Sequence, residues 1–353
     1  MDLKGILAEL SALSGVAGCE SSAAGRIAEY ASKLGAVEVT PLGSVICRVW
    51  EGAPDRPHLL LDAHMDEVGM IVTHIEDSGF LRVGACGGVD RRVLPASPVL
   101  VHGKGGPVTG VICAAPPHLG EGDKKFAKVD ELFLDIGYTT EGAEALVSPG
   151  DRVSILADFR TLLGDQVSGK ALDNRAGCAC LLHAAELLKE TPPTCGLTLL
   201  FSSMEEVGGQ GAKTAAWALN PTHAIAVDTT FAHTPGADKT KCGKMGGGPM
   251  IGISPLLSGE MSDSLIQTAK AEGIPHQLEV MPGGTGTNAD QIATTRAGVR
   301  CGLLSIPIKY MHTPVETLAL CDLEETGRLL AAFVKQDTLG ASALGHPKGG
   351  GAA

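Results

Sequence analysis

Four short runs of the chain are apolar at almost every position, and each leads to residues that bind protons or metals. His58-Leu-Leu-Leu-Asp-Ala-His64 runs on to Asp66, and Leu199-Leu-Phe-Ser-Ser-Met runs on to Glu205 and Glu206. Ala224-Ile-Ala-Val ends at Asp228, and Leu303-Leu-Ser-Ile precedes a Pro-punctuated loop carrying His312. Runs this apolar read as strands covered on both faces, which is how parallel sheets are buried between helix layers. Open α/β sheets place their ligand sites at the carboxyl ends of such strands.

Helical spacing of apolar residues predicts helices over 3–13, 21–34, 174–189, 211–218, 262–272 and 323–338, alternating with strands over 37–39, 45–49, 58–63, 197–202, 224–228 and 302–306. From Gly69 to Leu163 the character changes. Short alternating runs at 70–75, 80–83, 99–102 and 108–113 are separated by Gly, Pro and Asp, the pattern of barrel-like β structure. Within it, Gly103-Lys104-Gly105-Gly106 misses the Walker spacing and is expected to be a hairpin turn. The expected organisation is therefore a discontinuous α/β body, 1–68 and 164–340, interrupted by a β-rich insertion, 69–163. The Gly-rich end, 341–353, has the composition of a flexible tail.

Composition removes several function classes. The formal net charge of −12 and the lack of Lys/Arg clusters argue against a nucleic-acid partner. No apolar stretch reaches the roughly twenty residues of a membrane span, and the first residues carry no basic leader. The ten cysteines are scattered, mostly inside apolar runs, which fits reduced thiols and a cytoplasmic location. The one close pair, Cys178-Ala-Cys180, has no second pair or nearby histidine to make a zinc site.

The strand ends carry the chemistry. His64 and Asp66, two apart, project to the same face, so Asp66 can hold the second nitrogen of a metal-bound His64. Asp173 lies just before a predicted helix, where a carboxylate caps amides or, with four lone-pair sites, bridges two cations. Of the adjacent Glu205 and Glu206, one can ligate a metal while its neighbour handles a proton. With Asp228 and His312 added, two imidazoles and several carboxylates at one sheet edge form the pattern of a hydrolytic metal site. Mixed nitrogen and oxygen donors favour zinc, cobalt or manganese over calcium. The remaining histidines lack that setting and are expected to be structural.

At this point the residues resemble a known family, the co-catalytic dimetal aminopeptidases. That family includes glutamyl aminopeptidases and the tetrahedral, self-compartmentalising aminopeptidases, and some members carry an endoglucanase label. The resemblance rests on Ala63-His-Met-Asp-Glu-Val-Gly69, Gly169-Lys-Ala-Leu-Asp-Asn-Arg175, Glu205-Glu206, Val227-Asp-Thr229 and Tyr310-Met-His-Thr-Pro-Val-Glu316. It implies a zinc-peptidase-like α/β/α sandwich with an inserted β-barrel-like dimerisation domain. It also implies an enzyme that removes the N-terminal residue of short peptides with two divalent metal ions. His64, Asp173 and Asp228 would hold one metal, and Asp173, Glu206 and His312 the other. Asp173 would bridge, Asp66 would orient His64, and Glu205 would be the general base for a water bridging the metals. Dimers, and tetrahedral dodecamers built from them, are the implied self-assembly. In Gly284-Thr-Gly-Thr-Asn-Ala-Asp290, Asn288 stands where the family usually carries Asp, which leaves open what that loop selects. Two rival readings are a glycosidase, which needs two carboxyl groups but no histidines, and a catalytically silent assembly protein on the same fold.

Overall fold

A computed structural model describes residues 1–53, 55–114, 118, 126–336 and 339. The expected tail, 341–353, and the predicted end of the last helix at Thr338 lie outside the described residues. The four apolar runs become neighbouring strands. Gly196–Ser202, His58–His64, His223–Phe231 and Arg300–Ile308 pair in that order, all parallel, at the centre of an eight-stranded sheet. Antiparallel partners flank them: Val45–Trp50 and Ala36–Val39 on one side, Met250–Ile253 on the other, with Gln277–Val280 parallel to the last.

Alternation along the strands builds two cores. Leu59, Leu61, Ala63, Leu199, Phe201, Val227 and Ile306 face one layer, made by the helices Leu3–Ala12, Ser21–Ala31, Leu172–Leu188, Gly259–Ala271 and Leu320–Lys335. Leu60, Leu200, Ala224, Ala226 and Leu303 face the other, where Gln210–Leu219 and Asn288–Ala293 pack through Ala212, Ala215, Ala216, Ala289 and Ile292. The result is the expected α/β/α sandwich. Leu172–Leu188 is buried along most of its length, Cys178 and Cys180 included. Their thiols meet the His64 and Leu323 carbonyl oxygens rather than each other.

The Gly69–Ile75, Leu81–Cys86, Phe133–Asp135, Gly106–Ile112, Pro98–Gly103 and Arg152–Ile155 strands close into a barrel with its own core of Met70, Val72, Leu81, Val83, Val99, Leu134 and Val153. Lys104 and Gly105 form the tip of a barrel hairpin whose strands pair Gly103 with Gly106, as the turn reading expected. The barrel begins five residues after His64. The chain then returns through Arg160–Thr161 and Gln166–Gly169, which pair with each other and, through the latter, with Glu316–Ala319.

Sequence reasoning missed the short strands Met250–Ile253 and Gln277–Val280. At four residues each, and with the outer one half exposed, they carry little periodic signal. Among the described residues, no helix is long and apolar enough to cross a membrane.

Buried cations tie the first segment to the strand ends. Arg175 donates to the carbonyls of Met65 (2.6 Å) and Leu10 (2.7 Å). Lys170 donates to Leu13 O (3.0 Å) and pairs with Glu67 (2.6 Å), whose other oxygen accepts from Gly15 N. Such a pair needs this full set of partners, because desolvation otherwise exceeds the Coulomb gain.

Leu61 is fully buried at the centre of the larger core. Leu61→Ala is expected to lower unfolding free energy by about 2–5 kcal/mol, read as a fall in the urea midpoint. An unchanged midpoint would mean that this layer is not the stability core.

Candidate active site

Parallel pairing sets the geometry. Ser202 is opposite His64, Ala226 is opposite Asp62, two residues before Asp228 and His64 respectively, and Asp228 is opposite Ser305. His64, Asp228 and the start of the Glu205-Glu206 turn therefore lie at one level of the sheet. Met204 and His312 both adopt left-handed backbone (φ 59° and 63°). Non-glycine residues pay strain for that conformation, which concentrates at functional turns.

Asp173 does not cap its helix: its backbone is not helical, and it is Asn174 whose Oδ1 accepts from Gly177 N (3.0 Å). The Asp173 carboxylate instead lies between the imidazoles, Oδ1 3.3 Å from His64 Nε2 and Oδ2 3.3 Å from His312 Nε2. Asp228 Oδ1 is 3.6 Å and Glu205 Oε2 3.9 Å from His64 Nε2. Glu206 Oε1 is 3.3 Å from His312 Nε2. Two donor sets share Asp173, namely His64, Asp173, Asp228 and Asp173, Glu206, His312. In each, the donor atoms lie within 4.8 Å of one another. A third set, His64, Glu205, Glu206, overlaps both.

Electrostatics favours cations here. Burial, with neighbouring carboxylates adding to it, pushes Glu205 up to about 9 and raises Glu206 and Asp228 as well. Burial works against charge on His312, yet its contacts with Asp173 and Glu206 outweigh burial and hold it at about 11. His64 behaves alike, with burial overcome by Asp173 and Asp228. The cluster is thus short of positive charge, and among the described residues no Lys or Arg lines the cavity of about 360 Å³ in which it sits. Oxygen and imidazole donors around a shared carboxylate fit two divalent cations well.

Backbone amides hold the cluster in place. Asp66 accepts from Glu205 N (2.9 Å) and Glu206 N (3.1 Å), so it clamps the glutamate turn as well as facing His64 Nδ1 at 3.4 Å. The nearer partner of that nitrogen is the Asp66 carbonyl, at 3.2 Å.

Sequence reasoning missed two supports. Glu316, fully buried, accepts from His312 N (2.7 Å) and Asp173 N (3.0 Å), one oxygen to each. Gly88, in a barrel loop, places its carbonyl 2.9 Å from His312 Nδ1, and a Cβ there would press to 2.8 Å of that nitrogen. The position of Glu316 four residues after His312 was a readable signal; the Gly88 contact spans 224 residues and left none.

Asn288 is buried and donates to Asp62 (2.9 Å) and Ser202 (2.8 Å). It braces the loop to the sheet, while Thr285, Gly286 and Thr287 line the cavity. None of the other described histidines lines it; His58, His102 and His223 pair with Thr198, Ser154 and Thr222. His346 lies outside the described residues.

A two-sided sandwich with acids and imidazoles gathered at the carboxyl ends of its parallel strands is the architecture of a hydrolase working at a sheet edge. The comparisons with known proteins identify which one. The chain belongs to the M42 glutamyl aminopeptidase family, whose model matches residues 43–329, and it is an aminopeptidase. It is 36% identical over 339 residues to a putative aminopeptidase of Acetivibrio thermocellus, covering 94% of this chain and 98% of that one. A lysyl aminopeptidase of Pyrococcus furiosus is 32% identical over 308 residues, 85% of this chain and 87% of that one. Among solved structures, the Pyrococcus horikoshii TET1 peptidase, which can assemble into a tetrahedron or a large octahedral shell, superposes with a TM-score of 0.84. It is 33% identical over 94% of this chain and 99% of that chain.

Replacing Glu316 by Gln keeps one acceptor but turns an amide donor toward one of the two N–H groups. Aminopeptidase activity is expected to fall about 10–100-fold in steady-state assays. Unchanged kcat/KM would show that these two amide bonds are dispensable.

Proposed function

We propose that this aminopeptidase works with two divalent cations, one held by His64, Asp173 and Asp228 and the other by Asp173, Glu206 and His312. The observation that carries the reading is Asp173, which offers one oxygen to each imidazole at 3.3 Å. Zinc, cobalt and manganese suit this mix of donors. When bound, such a pair polarises a peptide carbonyl and makes an attacking water more acidic.

Glu205 is the proposed general base. It stands beside both donor sets without being needed to complete either, and the Asp66 carboxylate fixes its backbone. Added positive charge lowers a raised carboxyl pKa, which brings Glu205 from about 9 toward the range where it can take a proton from water. The same carboxyl then returns that proton to the leaving amine. The glycosidase reading is disfavoured because it leaves both imidazoles without work.

None of the ten cysteines forms a disulfide, which supports a cytoplasmic location. We assign residues 1–68 and 164–340 to the catalytic body and 69–163 to a domain that mediates a two-fold dimer, from which larger shells restricting access to short peptides could be built. Val111 and Phe126 leave apolar surface exposed on that segment, and cyclic two-fold pairing is the commonest closed symmetry.

Chelation is expected to abolish activity, and zinc, cobalt or manganese to restore it. Glu205→Gln should keep both ions, counted by elemental analysis, while kcat falls about 10²–10⁴-fold. Full activity in metal-free protein would sink the two-cation reading, and an unchanged kcat would reassign the base.

Light scattering on the intact chain should report a dimer or larger, and the double variant Val111→Asp, Phe126→Asp should shift it toward monomer. A monomeric parent, or an unshifted variant, would refute the assignment of the insertion.

A further inference from the structure

The family description specifies glutamyl and one relative's name specifies lysyl, so membership alone leaves open which first residue this chain removes. The cavity narrows the choice. Apart from the two donor sets and Glu205, its lining is uncharged: Thr229, Thr230, Phe231, Thr285, Thr287 and Met311, with Gly286 between the two loop threonines. In an exopeptidase of this design the N-terminal residue has to lie in this cavity, because its peptide carbonyl must reach the ligand cluster. Resting on the two-cation aminopeptidase reading, we propose that the cavity selects a neutral, predominantly apolar N-terminal residue of the leucine or methionine kind over glutamate and lysine.

Three observations carry this. A glutamate side chain would find no Lys or Arg among the described residues of the lining, and the formal net charge of −12 does not draw acidic substrates in. A lysine side chain would find every lining carboxylate already in a donor set or serving as the base. Glu279, the carboxylate behind the wall, accepts hydroxyl hydrogen bonds from Thr230 and from Ser305, the latter at 2.6 Å. Thr230, not Glu279, faces the cavity. A charged side chain would thus be desolvated among threonines, a phenylalanine and a methionine without a partner, whereas an apolar one gains by burial there. Discrimination by an unpaired charge exceeds what a single methylene provides.

The test uses the full-length chain reconstituted with zinc or cobalt and a panel of leucyl, methionyl, glutamyl and lysyl anilides. Leucyl or methionyl substrates are expected to exceed both charged ones in kcat/KM by about tenfold or more. A glutamyl or lysyl substrate equal to or better than leucyl overturns this inference alone. Turnover of none of them overturns the aminopeptidase reading and the inference with it.

Phe231 is 57% exposed at the end of its strand, so Phe231→Lys adds a cation to the wall at low cost to folding. The variant is expected to raise the glutamyl-to-leucyl ratio of kcat/KM about tenfold. A ratio that does not move would show that this wall does not set the choice.

Discussion

Crowded negative charge is the constraint on which the rest of this structure depends. Asp173, Glu206, Asp228 and Glu205 converge on two imidazoles inside a largely buried cleft, and Glu316 lies directly behind them. Carboxylates placed together in a low-dielectric setting repel one another and resist ionisation. The fold answers with directed donors. Asp66 faces two amides, Glu316 two more, and Asp228 accepts from Thr229 N. Asp66 and Glu316 use both oxygens on amides and so fix the backbone of Glu205, Glu206, His312 and Asp173, whose side chains form the cluster with Asp228. A cluster held this way is preorganised, so charge developing during the reaction meets groups that need not move.

The barrel belongs to that arrangement despite its separate core. It leaves the body just after the strand that delivers His64 and sends the Gly87-Gly88 loop back over the cluster. There the Gly88 carbonyl meets His312, and a Cβ on Gly87 would crowd Glu206 at 3.1 Å. A barrel that supplies none of the six gathered side chains thereby meets one imidazole through a backbone carbonyl. Its influence on activity does not require that it touch substrate.

How much of this was legible follows from the range of each signal. The four apolar strands announced themselves because burial on both faces removes polar residues locally, and their parallel pairing follows from the helices between them. The six residues that the structure gathers were readable because each stands at, or in the loop after, such a strand or at the start of a helix. Their roles as ligands and base remain assignments of the proposed function. The strands Met250–Ile253 and Gln277–Val280 were illegible, being only four residues long, the first interrupted by Gly252 and the second, at the sheet edge, half polar. The Gly88 contact was equally hidden, since it depends on how the barrel seats against the body. For Asp173 the sequence allowed either a helix cap or a bridge; the structure sets two distant histidines on either side of its carboxylate, a placement no local signal announced.

The gathered cluster and the wall of its cavity are built from adjacent residues of the same segments. Thr229, Thr230 and Phe231 directly follow Asp228, and Met311 directly precedes His312. Of the nearest wall residues, Thr229 donates its amide to Asp228, and the Thr230 hydroxyl is held to Glu279 behind the wall. Freedom to vary grows with distance along the strand, because Phe231 stands three residues beyond Asp228 and is open to solvent. The loop that carries Thr285 and Thr287 is anchored separately, through Asp290 to Thr285 and through Asn288 to Asp62 and Ser202. One edge of the sheet can therefore keep a fixed reaction while residues at the strand tip and on the braced loop change what is admitted to it.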